Sequence, residues 1–304
     1  MIDLYVGINE TKWNHHPVLP GPLACISPVY GASDRTRKEN AIRVPPATKV
    51  RQDSGAFSDS LRFRLAFKGA YRRQREHAEK YAYAEQIEAI ASYDLLIDEK
   101  WENGQRYKKR WSESAAREAV ESTVNAARWI KKTRKASCIL SAQGVTPEQY
   151  FSCVKRIAPF FCENDILGLG GWCILGKQPK RLMPAFQKTI LLVVPFLAEH
   201  QVAKRIHIWG VCYGKALGQL LWLCDQYGIA LATDSSGPQV RPARGLWGYK
   251  GWVNKAYKQP PVKSRGLERA RHVMATRKWL KDFRNSEWYT EPKPKPKREQ
   301  LCLF

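Results

Sequence analysis

From about residue 49 onward, short apolar runs alternate with helical stretches, and no other feature of the sequence constrains the fold as much. The runs are "KVRQDSGAF" (49–57), "YDLLIDE" (93–99), "ASCILSAQG" (136–144), "DILGLGG" (165–171), "RIHIWGV" (205–211) and "IALATDSS" (229–236). Between them lie "REHAEKYAYAEQIEAIAS", "SESAAREAVESTVNAARWIKKTR", "TPEQYFSCVKRIAPFF", "PKRLMPAFQKTILLVVPFLAEHQV" and "ALGQLLWLCDQYG", all with helical spacing of apolar residues. "TPEQ" supplies Thr146 as an N-cap, Pro147 at the first helical position and a Gln at the third. Helical crossovers imply parallel strands, and parallel strands buried on both faces read as near-continuous apolar runs like these. "MIDLYVGI" and "LACISPVY" (23–30) bring the strand candidates to eight. No GxGxxG opens a helix after the first strand and no GxxxxGK[ST] occurs, which argues against the nucleotide-binding open sheets. The expected fold is α/β, a (β/α)8 TIM-like barrel over 1–245. A basic helical C-terminal extension (246–290) and a Pro/Lys tail (291–304) are expected to follow.

The charge balance points to a polyanionic partner. Fifty-one Lys and Arg against 28 Asp and Glu give a net charge of +23, far beyond what solubility needs. The chain also carries 11 Trp, 13 Tyr and 10 Phe, side chains that stack on bases, so nucleic acid is the expected partner. Basic clusters suited to phosphates include Arg62 and Arg64, Arg72 and Arg73, Lys108, Lys109 and Arg110, and Arg241 and Arg244. The eight Cys form no CxxC pair and several sit in apolar runs, the pattern of reduced, packed thiols. "MIDLYVGINE" does not read as a signal peptide, and the longest apolar run, "TILLVVPFLA" (189–198), is about half of what a bilayer needs. A cytoplasmic protein without membrane attachment is expected; the oligomeric state stays open.

In a (β/α) barrel, chemistry gathers on the loops after the C-terminal strand ends. Here those ends carry Asp53, Asp98, Gln143, Gly170 with Gly171, and Asp234. A single Asp after a strand is often only a helix cap, and "DSSG" is also a turn sequence. Carboxylates and a carboxamide at four separate ends suggest one rim.

The order of these motifs resembles that of the tRNA-guanine transglycosylases. "QDSGAF" resembles their Asp-Ser-Gly-Gly-Phe, "LLIDEK" their Phe-Asp-Glu, "SAQG" their Val-Gln-Gly-Gly and "GLGGW" their Gly-Gly-Leu. "IHIWGV" is similar to their Met-Gly-Val strand, and "ATDSSGPQVRP" to their Phe-Asp-Cys-x-x-Pro-x-Arg; the likeness spans about residues 50 to 242. The resemblance implies a barrel that removes guanine from a polynucleotide and inserts a 7-deazaguanine. It implies Asp234 as nucleophile and Asp53 as general acid/base. Asp98, Gln143 and the Gly170–Gly171 backbone would bind the base, with Ser54 beside them and Phe57 and Trp172 available to stack.

The family's zinc site, CxCxxC followed by a distant His, has no counterpart, since only His272 and Cys302 follow residue 240. No metal and no other cofactor is expected. The Asp-Ser at 234–235 and Gly-Ala at 55–56 depart from the tRNA enzymes and resemble the DpdA-type branch, which includes phage members and acts on guanine in DNA. The expected reaction is exchange of guanine in DNA for a free 7-deazaguanine such as 7-cyano-7-deazaguanine; a phage-encoded enzyme would work in the host cytoplasm. A zinc-less tRNA enzyme, a hydrolytic base-removing enzyme and a non-catalytic nucleic-acid-binding barrel are the alternatives. A base within a duplex would have to be flipped out to reach such a mouth.

Overall fold

The structure, a computed structural model, describes residues 1–8, 22–28, 44–56, 66–94, 100–102, 105–107, 113–134, 136–173, 175–235, 246–247, 257–258 and 266–293. Eight strands form a closed barrel: β1 (Ile2–Ile8), β2 (Leu23–Ile26), β3 (Lys49–Gln52), β4 (Ile87–Ala91), β5 (Cys138–Ala142), β6 (Ile166–Leu169), β7 (Arg205–Ile208) and β8 (Ala230–Ser235). Every neighbouring pair is parallel, and β8 closes on β1 with Tyr5 opposite Asp234. From β3 onward helices alternate with the strands: α1 (Phe67–Lys80), α2 (Glu113–Thr133), α3 (Pro147–Ile157), α4 (Pro179–Glu199), α5 (Gly214–Gln226) and α6 (Gly266–Lys281). The expected TIM-like architecture is therefore present. Two short antiparallel pairs, Lys100–Glu102 with Gln105–Tyr107 and Leu246–Trp247 with Tyr257–Lys258, lie outside the barrel sheet.

Period-two alternation divides each strand between two environments. Leu4, Val6, Leu140, Leu167, Leu169, Ile206, Ile208 and Leu231 share one core with the helices, while Ala89, Ala91, Ile139 and Ile166 cluster separately. Helix ends follow local chemistry. Thr146 accepts from the Gln149 backbone N–H at 3.2 Å, and the Gln149 side chain accepts from Val145 N–H at 3.2 Å, so α3 starts where the sequence predicts. The apolar α4 is 21 residues long, starts with Pro179 and contains Pro184 and Pro195 in its interior; its Phe186, Ile190 and Val194 are among the residues buried in the main core.

One strand differs from expectation. "YDLLIDE" does not supply the fourth strand; β4 is "IEAIA", inside what reads as a helix over 75–92. Helix α1 stops at Lys80, and Ala82 takes a left-handed φ of 51° that turns the chain toward β4. Alanine-rich sequence favours a helix intrinsically, but Ala89 and Ala91 face a barrel interior where their small size fits beside Ile139, Ile166 and Trp209.

Over its described residues, the basic segment after 245 includes α6, which packs along β1. Its Val273 and Leu280, with the following Phe283, join the barrel's main core, and Met274 is 60% exposed. Arg284 and Tyr289 then hold Asp225 at the end of α5, with both Arg284 contacts at 2.6 Å.

Candidate active site

β3 delivers Asp53 directly after its last residue, and the turn that follows explains why that strand ends in "DSG". Asp53 Oδ1 accepts from Ser54 N–H at 2.7 Å, and Gly55 adopts φ 79°, a conformation that favours glycine. Gln74 on α1 donates to the Asp53 carbonyl at 3.0 Å, and Arg73 Nη2 donates to the Ser54 carbonyl at 3.0 Å. The loop is thus fixed from behind. Burial, reinforced by the negative charges of Asp94 and Asp234, pushes the Asp53 carboxyl up from 3.8 to about 7.

Asp94, three residues past β4, is buried. Its Oδ1 accepts from Ser54 Oγ at 3.1 Å and its Oδ2 from Gln143 Nε2 at 2.5 Å. Burial raises its carboxyl above the ordinary carboxylate value, opposed by these two donors. Gln143 follows β5 and is itself buried beneath the turn after β6. A Cβ on Gly170 would lie 2.1 Å from Gln143 Nε2, so this position takes glycine for lack of space; Gly171 takes glycine for its φ of 79°. The Gly170 N–H donates to Ala142 O at 3.2 Å and its carbonyl accepts from Tyr150 OH at 3.2 Å, so both of its backbone polar groups are engaged.

On the opposite side, Asp234 sits near the end of β8. Its Oδ1 accepts from Gly210 N–H at 2.8 Å and lies 3.1 Å from His207 Nε2. Asp53, Asp94, Gly171, Trp209 and Asp234 border one cavity of about 280 Å³, with Ser54, Gly170 and Cys173 completing much of its wall. All come from C-terminal strand ends, the end of a (β/α) barrel at which functional groups converge. The volume suits a single flat heterocycle.

The structure brings together Asp53, Ser54, Gln143, Gly170, Gly171 and Asp234 from the expected site. Trp172 differs: it is buried in the helix-side core, 5.1 Å from Phe186 and 5.8 Å from Tyr150 between ring centroids. Gly171 turns the chain, so the side chain after it points away from the cavity, and the aromatic that borders the cavity is Trp209. The acid expected at Asp98 falls outside the described residues, and the acid at this strand end is Asp94, which sequence reading missed because it placed the strand six to eight residues late. Phe57, Arg62, Arg64, Lys108, Lys109, Arg110, Arg241 and Arg244 also lie outside the described residues. Of the two described basic candidates, Arg72 is exposed and 3.8 Å from Glu76, whereas Arg73 is half-buried and secures the Asp53 loop. Arg277, Lys278 and Lys281 of α6 border a second cavity, about 660 Å³, with Met1, Leu23 and Lys49 at the strand starts, the end of the barrel away from Asp234. Among the described residues, no group of three or more His, Cys, Asp or Glu side chains is placed to hold a metal ion.

No protein-family model matches the chain, and a search of the curated proteins finds no significant match.

Proposed function

We propose that this protein is a DNA guanine transglycosylase, exchanging guanine for a 7-deazaguanine base through a covalent aspartyl-glycosyl intermediate. The observation that carries the reading is the convergence of Asp53, Asp94 and Asp234 on one small cavity, in environments that differ. Asp234 is the nucleophile: a carboxylate oxygen attacks C1′ of the sugar, the C1′–N9 bond breaks, and an ester links the sugar to Asp234. Asp53 protonates the departing guanine. With a carboxyl at about 7 it holds that proton near neutral pH, and once ionised it takes the N9 proton of the incoming base. N9 of that base then displaces the Asp234 carboxylate from C1′, which restores the enzyme.

Asp94 accepts the N–H groups of the guanine edge. Each of its oxygens already takes one donor, from Ser54 or Gln143, and retains a second lone pair. The Gly171 N–H suits the base carbonyl, and Trp209, at the cavity wall, is the aromatic against which the base would pack. The net charge of +23, including the basic C-terminal segment, supplies affinity for the polynucleotide backbone. The reading places the protein in the cytoplasm, away from membranes, and needs neither metal nor cofactor.

The test is incubation with labelled guanine and either DNA or tRNA. Label entering DNA supports the proposal. Label entering only tRNA assigns the tRNA reaction, loss of base without exchange assigns a hydrolase, and no reaction with either polymer leaves a binding barrel.

A further inference from the structure

Below Asp234 the barrel interior holds polar side chains that the exchange chemistry does not use. Glu88 on β4 pairs with Arg51 at 3.5 Å and with Arg205 at 3.3 Å, and accepts from the Tyr5 hydroxyl at 2.5 Å. The Arg51 guanidinium lies 4.0 Å above the Tyr5 ring, and its Nη1 is 2.8 Å from His207 Nδ1. His207, fully buried, is the link to Asp234 Oδ1.

An arginine has five donors and no lone pair. Its 2.8 Å approach to His207 is a hydrogen bond only when Nδ1 is unprotonated, so the single ring proton must sit on Nε2. That N–H donates to Asp234. Charge balance agrees: burial holds the imidazole below its ordinary value, and the neighbouring Arg51 adds to that, against the pull of Asp234. The other groups facing the ring do not change charge near neutrality. Burial keeps the Tyr5 phenol protonated, and Arg51 and Tyr5 hold the Glu88 carboxyl down although burial opposes them.

We propose that Arg51 locks His207 in the Nε2–H tautomer, and that His207 is a positioning residue which, with the Gly210 N–H, holds Asp234 Oδ1 and leaves Oδ2 as the attacking atom. This deepens the transglycosylase reading and rests on it for the role of Asp234. Two donors on one oxygen stop the carboxylate rotating and direct the unoccupied oxygen to the cavity, an orientational advantage. His207 cannot then act as a base, because its lone pair belongs to Arg51.

The tautomer is read by nitrogen-15 NMR of histidine-labelled protein, with the His207 signals assigned by their loss in His207→Gln. The expected spectrum has Nε2 protonated and Nδ1 unprotonated, unchanged from pH 5.5 to 8.5; protonation of Nδ1, or of both nitrogens at pH 7, overturns the lock. Exchange assays supply the second arm. Gln places an amide donor near the Nε2 position and should keep exchange within a few-fold of wild type. His207→Asn reaches only the Nδ1 position and should lower kcat about ten- to a hundred-fold, with KM for DNA unchanged. Equal rates for Asn and wild type overturn the positioning role. Should wild type exchange no base at all, the transglycosylase reading falls, and the NMR result still decides the tautomer lock.

Discussion

Replacing Asp53 by Asn should stabilise the protein in alkaline solution and flatten its pH dependence. In the folded protein this carboxyl is raised from 3.8 to about 7, by burial and then by Asp94 and Asp234. At 1.36 kcal/mol per pH unit, three units correspond to about 4 kcal/mol of native-state cost for the ionised form. Between the two values the native state binds more protons than the unfolded chain. Stability from this group is therefore fully present in acid and is lost as pH rises through about 7. From pH 5 to 8.5 the loss integrates to about 3 kcal/mol. Asn keeps the shape, still accepts from the Ser54 N–H and has no charge to titrate. Urea unfolding of both proteins across that range measures the difference directly. The variant should gain on wild type by about 3 kcal/mol between pH 5 and 8.5. Parallel pH profiles, or an Asn variant that is less stable at pH 8.5, would refute the assigned electrostatics.

Other outcomes follow from the same site. Asp234→Asn removes the anionic oxygen, so exchange of labelled guanine should fall by orders of magnitude while DNA binding, measured by fluorescence anisotropy, persists. The rate of guanine release by wild type should decline about tenfold per pH unit above about 7, as Asp53 loses the proton it must donate. Gly170→Ala would put a Cβ 2.1 Å from Gln143 Nε2 and 2.9 Å from Asp94 Oδ2, so exchange should drop at least a hundred-fold, in a protein whose circular dichroism spectrum is unchanged. Gly218→Ala would put a Cβ 2.0 Å from the Trp288 carbonyl, and thermal denaturation should show a loss of about 1–3 kcal/mol with the site chemistry intact.

The barrel was legible because seven of its strands fall within the short runs picked out from the sequence, and their order alone implies parallel pairing. β4 was not. "IEAIA" has the alanine content of a helix, and only the limited space beside Ile139 and Ile166 makes it a strand. That single displacement hid Asp94, since the resemblance then selected the next acid along the chain. Asp53, Gln143 and Asp234 stood out as polar groups ending apolar runs. His207 and Arg51 carried no such signal: both lie within short strands rather than at their ends, and their pairing joins positions 156 residues apart. Trp172 and Trp209 both follow strands, and only the turn at Gly171 decides which of them borders the cavity.

The most direct measurement is to incubate the protein with guanine-containing DNA in the absence of any incoming base, denature it, and map any DNA–protein adduct by mass spectrometry. The account predicts at most one guanine released per protein molecule and a sugar ester on the peptide that contains Asp234, absent from Asp234→Asn. Continuing guanine release with abasic sites left in the DNA, or an adduct on any other residue, would contradict it.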